Sequence, residues 1–202
     1  MVERTCFGSQ PEISVIVATM PGREFHSYPY LRRQVGVEYE IIVVRDAKLD
    51  VCEARTRGVE AARSEFVAVT DDDTRPPCDW LQKALSTVQM PGVHAVEGPV
   101  VGEYNIPRLY RTCNLAFTKA AWDAVGQFDS DYAGWLEDTV FGWEIERTFG
   151  RNTTQYDPDM EMEHVGPLKS TPIDENERQV KREYRTEFRE VLLPDRDDSK
   201  KL

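Results

Sequence analysis

A chain of 202 residues, 40% hydrophobic and 30% charged, is long enough to bury one substantial core and ordinary enough in composition to be a soluble globular protein. With 25 basic against 36 acidic residues its net charge is −11, which disfavours binding bare nucleic acid, and no run approaches the ~20 apolar residues of a membrane span. Cys6, Cys52, Cys78 and Cys113 show no metal-binding spacing and the segment MVERTCFGSQPE has no signal-peptide core, so a reducing, cytoplasmic location is expected.

Residues 13–18 form a nearly continuous apolar run, as expected of a strand covered on both faces, and Thr19-Met20-Pro21-Gly22-Arg23 breaks it with turn chemistry. After a short Arg-rich segment expected to be helical, residues 39–44 form a second strand that ends at Arg45-Asp46. Asp50-Val51-Cys52-Glu53 reads as a capping box opening a helix through Ala54, Gly58, Val59 and Ala62. The third strand, residues 66–70, runs into Asp71-Asp72-Asp73. Beyond Pro76-Pro77, Trp80, Leu81, Ala84, Leu85 and Val88 recur at helical spacing.

This alternation predicts an α/β fold, a Rossmann-like, mainly parallel sheet flanked by helices in a single domain. Ligands bind such sheets beyond the carboxyl ends of the strands, so Thr19, Arg45-Asp46 and the Asp triplet should converge on one polar crevice.

The second half is less regular. Residues 93–101 read as one strand; Asn114 to Lys119 leads into a short helix over 120–125 that Gly126 stops. Residues 127–135 form a loop rich in aromatic and small residues, and Leu136-Glu137-Asp138 opens a helix ended by Gly150. His164 falls at the end of a short strand. Thr171-Pro172 is expected to cap a last helix reaching about Leu193, and its mixture of acids and bases marks it as solvated. Residues 1–172 are read as one domain, with 173–202 a charged helix and tail packed on it or extending from it.

Three adjacent carboxylates at the end of an apolar strand repel one another unless a cation or hydrogen-bond donors offset them, and Asp is a poor strand residue. A turn capped by Asp side chains is the plainer account. The βαβ context favours a divalent metal, Mg²⁺ or Mn²⁺, with hard oxygen ligands. Asp73 and Asp71 are the metal candidates because alternate residues share a side, and Asp71 or Asp72 is left to accept bonds from a ribose or sugar hydroxyl.

Glu137 and Asp138 suit a helix N-terminus on electrostatic grounds alone. Beside Trp135 they also suit a sugar platform with a general base, Asp138. His164 is either an ordinary packed histidine or a third metal ligand, and Arg55 is either solvated on its helix or paired with a diphosphate.

Together the segments Ile13-Ser-Val-Ile-Val-Ala-Thr19, Glu40-Ile-Ile-Val-Val-Arg-Asp46, Ala54-Arg-Thr-Arg-Gly-Val59, Phe66-Val-Ala-Val-Thr-Asp-Asp-Asp73, Val125-Gly-Gln-Phe-Asp129 and Glu137-Asp-Thr-Val-Phe-Gly-Trp143 resemble the family 2 glycosyltransferases of GT-A fold. The resemblance implies a nucleotide-diphospho-sugar donor, a divalent cation held by an Asp-x-Asp motif, and inversion at the anomeric carbon. Carried over, Asp71 and Asp73 form that motif, with His164 near the metal or diphosphate. Asp138 beside Glu137 becomes the base; Thr19, Asp46, Arg55, Asp71 and Asp72 face the nucleotide; Trp135 and Asn114 form the acceptor or sugar platform.

Three positions depart from the family pattern: Arg45 replaces an acid, Thr56 an Asn, and Glu144 an Arg. The first leaves GDP or another nucleotide open beside UDP. The acceptor, whether glycan, lipid-linked or small-molecule, and the oligomeric state are not specified, and peripheral membrane association is left open. The competing readings are a nucleotidyltransferase, against which the absence of a glycine-rich loop speaks, and a non-catalytic nucleotide- or sugar-binding module.

Overall fold

The computed structural model describes residues 1–101, 105–166 and 175–193. In chain order its elements are β1 (Val2–Phe7), β2 (Ile13–Thr19), α1 (Tyr28–Leu31), β3 (Tyr39–Arg45), α2 (Val51–Ala61), β4 (Phe66–Thr70), β5 (Thr74–Arg75) and α3 (Trp80–Val88). There follow β6 (Ala95–Glu97), β7 (Val100–Val101), β8 (Leu115–Thr118), α4 (Lys119–Val125), α5 (Glu137–Phe149), β9 (Thr154–Tyr156), β10 (Met162–His164), α6 (Glu175–Glu183) and α7 (Arg185–Leu192).

The central sheet has seven strands in the order β1-β3-β2-β4-β8-β6-β9, and β5-β10-β7 make a small second sheet. β3, β2 and β4 run parallel, with Thr19 opposite Arg45 and Val17 opposite Thr70. Their carboxyl ends are therefore level along one edge, as the alternating pattern predicts.

Successive side chains leave opposite faces of each strand, so these apolar runs feed two cores. Ile16, Ile42, Val67 and Val69 pack on the side of α2, α4 and α5. Ile13, Val15, Val17, Ile41, Val43 and Ala68 pack against α3 through Trp80, Leu81 and Leu85. Gly58 lets α2 sit close on the sheet, because a Cβ there would collide with Ile16. The expected capping box is present: Asp50 accepts from the Glu53 amide at 2.8 Å and Glu53 from the Asp50 amide at 3.0 Å.

Three features differ from the sequence reading. β1 is an antiparallel edge strand of largely exposed residues, so hydropathy gave no sign of it. The single strand expected over 93–101 is two strands in different sheets, because the chain turns at Gly98-Pro99, where Gly98 lies too close to the Met160 carbonyl for any side chain.

The last helix is two helices, and it is not simply solvated. Val180, Tyr184, Phe188 and Val191 are buried in the same core as Val140, Phe141 and Ile145 of α5. Their helical spacing makes one apolar stripe, which a count of charges averages away. Arg147 of α5 fastens the contact, lying 4.1 Å over the Tyr184 ring and 2.7 Å from Glu187. The Thr171-Pro172 cap, the 172/173 boundary and Pro194 lie outside the described residues. No helix among the described residues is long and apolar enough to cross a membrane.

Candidate active site

The Asp triplet is held by its backbone. The Ser27 hydroxyl donates to Asp71 O at 2.9 Å, the Thr74 hydroxyl to the same carbonyl at 3.0 Å, and the Ser27 amide to Asp72 O at 3.0 Å. Asp72 then points inward and is only 3% exposed, with the Thr19 hydroxyl donating to its carboxylate and Arg23 Nε 3.0 Å away. Burial pushes its carboxyl up, against the pull of Thr19 and Arg23. Asp71 and Asp73, the alternate residues, stay partly exposed.

Strand β10 brings a third group to them. It pairs with β5 so that His164 lies opposite Thr74, and His164 Nε2 comes within 3.2 Å of Asp73 Oδ1. This contact, followed by Arg23, holds the Asp73 carboxyl below its usual range against the cost of burial. One ligand atom each from Asp71, Asp73 and His164 lies within 4.8 Å of the others. Two carboxylates and an imidazole at that spacing fit a hard divalent ion such as Mn²⁺ or Mg²⁺. Gly166 keeps the cluster open, since a Cβ there would collide with Asp73 Oδ2.

The second carboxylate pair sits at the start of α5. Gly134 (φ +90°) and Leu136 (φ +69°) are both left-handed, which turns the chain sharply into the helix; for Leu this is a strained conformation of the kind that gathers at working sites. Asp138 accepts from the Thr112 amide at 3.0 Å and the Thr139 amide at 2.8 Å. Burial, then the Glu137 carboxylate beside it, pushes the Asp138 carboxyl up, despite Arg55 and the two amides.

Arg55 joins the two acidic groups. Its side chain is 6% exposed, with Nη1 2.6 Å from Glu137 Oε1 and Nη2 3.3 Å from Asp71 Oδ1. Burial opposes its charge, but Asp71, Glu137 and Asp138 more than offset that and keep the guanidinium ionised. A metal-capable cluster and a carboxylate with a raised pKa thus share one arginine.

The family model for glycosyl transferase family 2 matches residues 33–135, half of the chain, including the Asp triplet. The chain belongs to glycosyl transferase family 2. Among curated proteins no sequence matches it. Its fold is that of GT-A glycosyltransferases: it superposes on the mannosyltransferase PcManGT from Pyrobaculum calidifontis, a complex with GDP-Man and Mn²⁺, with a TM-score of 0.65 at 17% identity over 80% of this chain and 59% of that one. S. aureus TarS 1–349 gives a TM-score of 0.68 at 16% identity over 89% of this chain and 66% of that one. The same TarS segment with UDP-GlcNAc gives 0.63 at 16% identity over 89% and 67%. The chain thus spans roughly three-fifths to two-thirds of the length of these solved proteins.

Within this family 2 domain the remaining expected site residues are dispersed. Asp46 lies at the level strand edge, 3.7 Å from Arg57, and the Lys48 amide at 3.1 Å holds its carboxyl low. Arg45, the last residue of β3, lies 3.4 Å from Glu3 and 5.5 Å over the Phe25 ring. Trp135 is partly buried against the aromatic core, and its indole N–H is buried with no partner among the described residues.

Asn114, expected on the sugar platform, is instead 1% exposed. It accepts from the Trp80 indole at 2.8 Å and donates to Pro99 O at 3.0 Å and Met160 O at 2.6 Å. Its polar atoms are engaged in the fold and leave none for an acceptor.

Sequence reasoning passed over Arg23, Ser27, Thr112 and Gly166. For Arg23 and Gly166 a signal existed, a Pro-Gly turn before one and the neighbouring His164 for the other. Ser27 and Thr112 carry none.

Proposed function

We propose that this chain transfers a sugar from a nucleotide-diphospho-sugar donor to an acceptor hydroxyl, with inversion and with the help of Mg²⁺ or Mn²⁺. The observation that carries the reading is Arg55, whose two arms tie the Asp71 end of the metal-capable cluster to the Glu137-Asp138 pair. The neighbours described with GDP-Man and Mn²⁺ and with UDP-GlcNAc support a donor of this class.

In this reading Asp71, Asp73 and His164 hold the cation, which when bound supplies positive charge to the departing diphosphate. Thr19, Asp46 and Arg55 line the nucleotide end, and Asp72, tied to Thr19 and Arg23, fixes the crevice floor. Asp138 takes the proton of the attacking acceptor hydroxyl, and its raised pKa suits that task near neutral pH. Glu137 holds Arg55, and Trp135 offers an aromatic surface beside the base. The acceptor is a glycan, a lipid-linked sugar or a small molecule, and the site of action is the cytoplasm. Residues 1–172 form the GT-A domain, against which the C-terminal helices pack.

The test is a thermal-shift and calorimetric panel of UDP-, GDP- and dTDP-sugars with and without Mn²⁺, since a ligand that binds only the folded state raises its apparent stability. One donor class should bind in a Mn²⁺-dependent way. Asp73→Ala should lose that binding, whereas Asp138→Asn should keep it and lose transfer. Absence of binding by every donor, or normal turnover by Asp138→Asn, would overturn the reading.

A further inference from the structure

The two arginines of the crevice are built for different tasks. Arg55 is locked in the interior, whereas the Arg23 side chain is 49% exposed. Arg23 closes a tight turn: its amide donates to Met20 O at 3.1 Å, with Pro21 and then Gly22 at φ +80° between them. Pro followed by a left-handed Gly is the pattern of a type II turn. Nothing lies within 4 Å of a Cβ built on Gly22, so the turn projects into open space. From it the Arg23 guanidinium reaches back to Asp72 Oδ2 at 3.0 Å and Asp73 Oδ2 at 2.7 Å.

Asp73 is therefore engaged at both oxygens, by Arg23 at Oδ2 and by His164 at Oδ1. A cation ligated by Asp71, Asp73 and His164 competes with the guanidinium for the Asp73 carboxylate. The guanidinium, half exposed on a long, flexible side chain, regains rotamer freedom when released, and the Thr19 hydroxyl still holds the buried Asp72 carboxylate.

We propose that Arg23 is a displaceable counter-ion, which partly offsets the charge of Asp72 and Asp73 until a divalent cation takes Asp73 and then pairs with the diphosphate of the donor. The inference rests on the donor-transfer reading above and adds to it a residue with two successive partners. The exchange raises the positive charge set against the carboxylates. A dication replaces one guanidinium on the carboxylates, and the released guanidinium meets the incoming diphosphate, for which it has the matching donor geometry.

The two steps respond oppositely to the loss of Arg23, which a purely structural role would not reproduce. Mn²⁺ binding to the full chain is measured without nucleotide, and GDP and UDP binding is measured at saturating Mn²⁺. Arg23→Ala should bind Mn²⁺ about threefold to tenfold more tightly and the better nucleoside diphosphate about tenfold more weakly, the scale of one charge-assisted contact. Arg23→Lys should fall between Arg23→Ala and the unaltered chain on both measures.

If the unaltered chain binds neither Mn²⁺ nor a nucleoside diphosphate, the donor-transfer reading falls and this proposal with it. If it binds both, but Arg23→Ala shifts the two affinities in the same direction or shifts neither, the role of Arg23 alone is rejected.

Discussion

Arg55 donates to Glu137 at 2.6 Å across 82 residues of sequence, and both side chains are nearly excluded from solvent. Three acidic groups, Asp71, Glu137 and Asp138, face this one guanidinium, so the start of α5 and the strand end that carries the Asp triplet are held in one electrostatic unit.

Removing the guanidinium should therefore be costly. Arg55→Met leaves Glu137 buried beside Asp138 without compensation, and breaking such a pair costs about 3–5 kcal/mol. A fall in Tm of roughly 10 °C is expected by thermal denaturation. The double variant Arg55→Met/Glu137→Leu should recover part of it. A single variant within a degree or two of the unaltered chain would show that the pair carries no such weight.

The pH dependence follows from Asp138, which burial and Glu137 push up to about 7. As a base it acts only when ionised, so kcat/KM should drop about tenfold per unit of pH below that value. Stability runs the other way. The folded carboxyl holds its proton more tightly than the unfolded one, so the Asp138 contribution is greatest below about pH 4 and is lost as pH rises toward about 7. Asp138→Asn removes that slope. Its stability relative to the unaltered chain should rise between pH 5 and pH 8 by on the order of 1 kcal/mol, read from urea midpoints. A flat difference across that range would contradict the raised pKa.

Two glycines should separate folding from site chemistry. A Cβ at Gly142 would collide with the Tyr110 ring, whose hydroxyl is tied to Glu146 and Thr154. Gly142→Ala should cost at least about 2 kcal/mol, measured by denaturant unfolding. At Gly166 the collision is with the Asp73 carboxylate, a side-chain end that can move. Gly166→Ala should leave stability within about 1 kcal/mol but weaken Mn²⁺ binding about tenfold, because it displaces a ligand atom. Equal effects of the two substitutions on stability would argue against this division.

Much of the crevice is legible in the sequence alone. β2, β3, β4 and the capped α2 announce themselves because a buried strand must be apolar and a helix start must satisfy its amides, and both demands are local. Asp71 and Asp73 stand out because adjacent carboxylates at a strand end are unfavourable without a partner, whereas Asp138 stands out only through the motif it shares with Glu137. β1 gave no signal, since an edge strand needs only backbone pairing. The turn at Gly98-Pro99 depends on how closely Met160 approaches, and the apolar stripe of α6 and α7 was hidden among charges.

The sequence by itself determined the α/β order and the acidic character of the site, because periodicity and charge are written residue by residue. Only the tertiary structure decided how those charges are compensated. It turns Asp72 inward to Thr19, brings His164 to Asp73, spends Asn114 on Trp80, Pro99 and Met160, and sets Arg55 between Asp71 and Glu137. Contacts between residues tens of positions apart depend on the register of strands and the closeness of packing, and neither is encoded in any single segment.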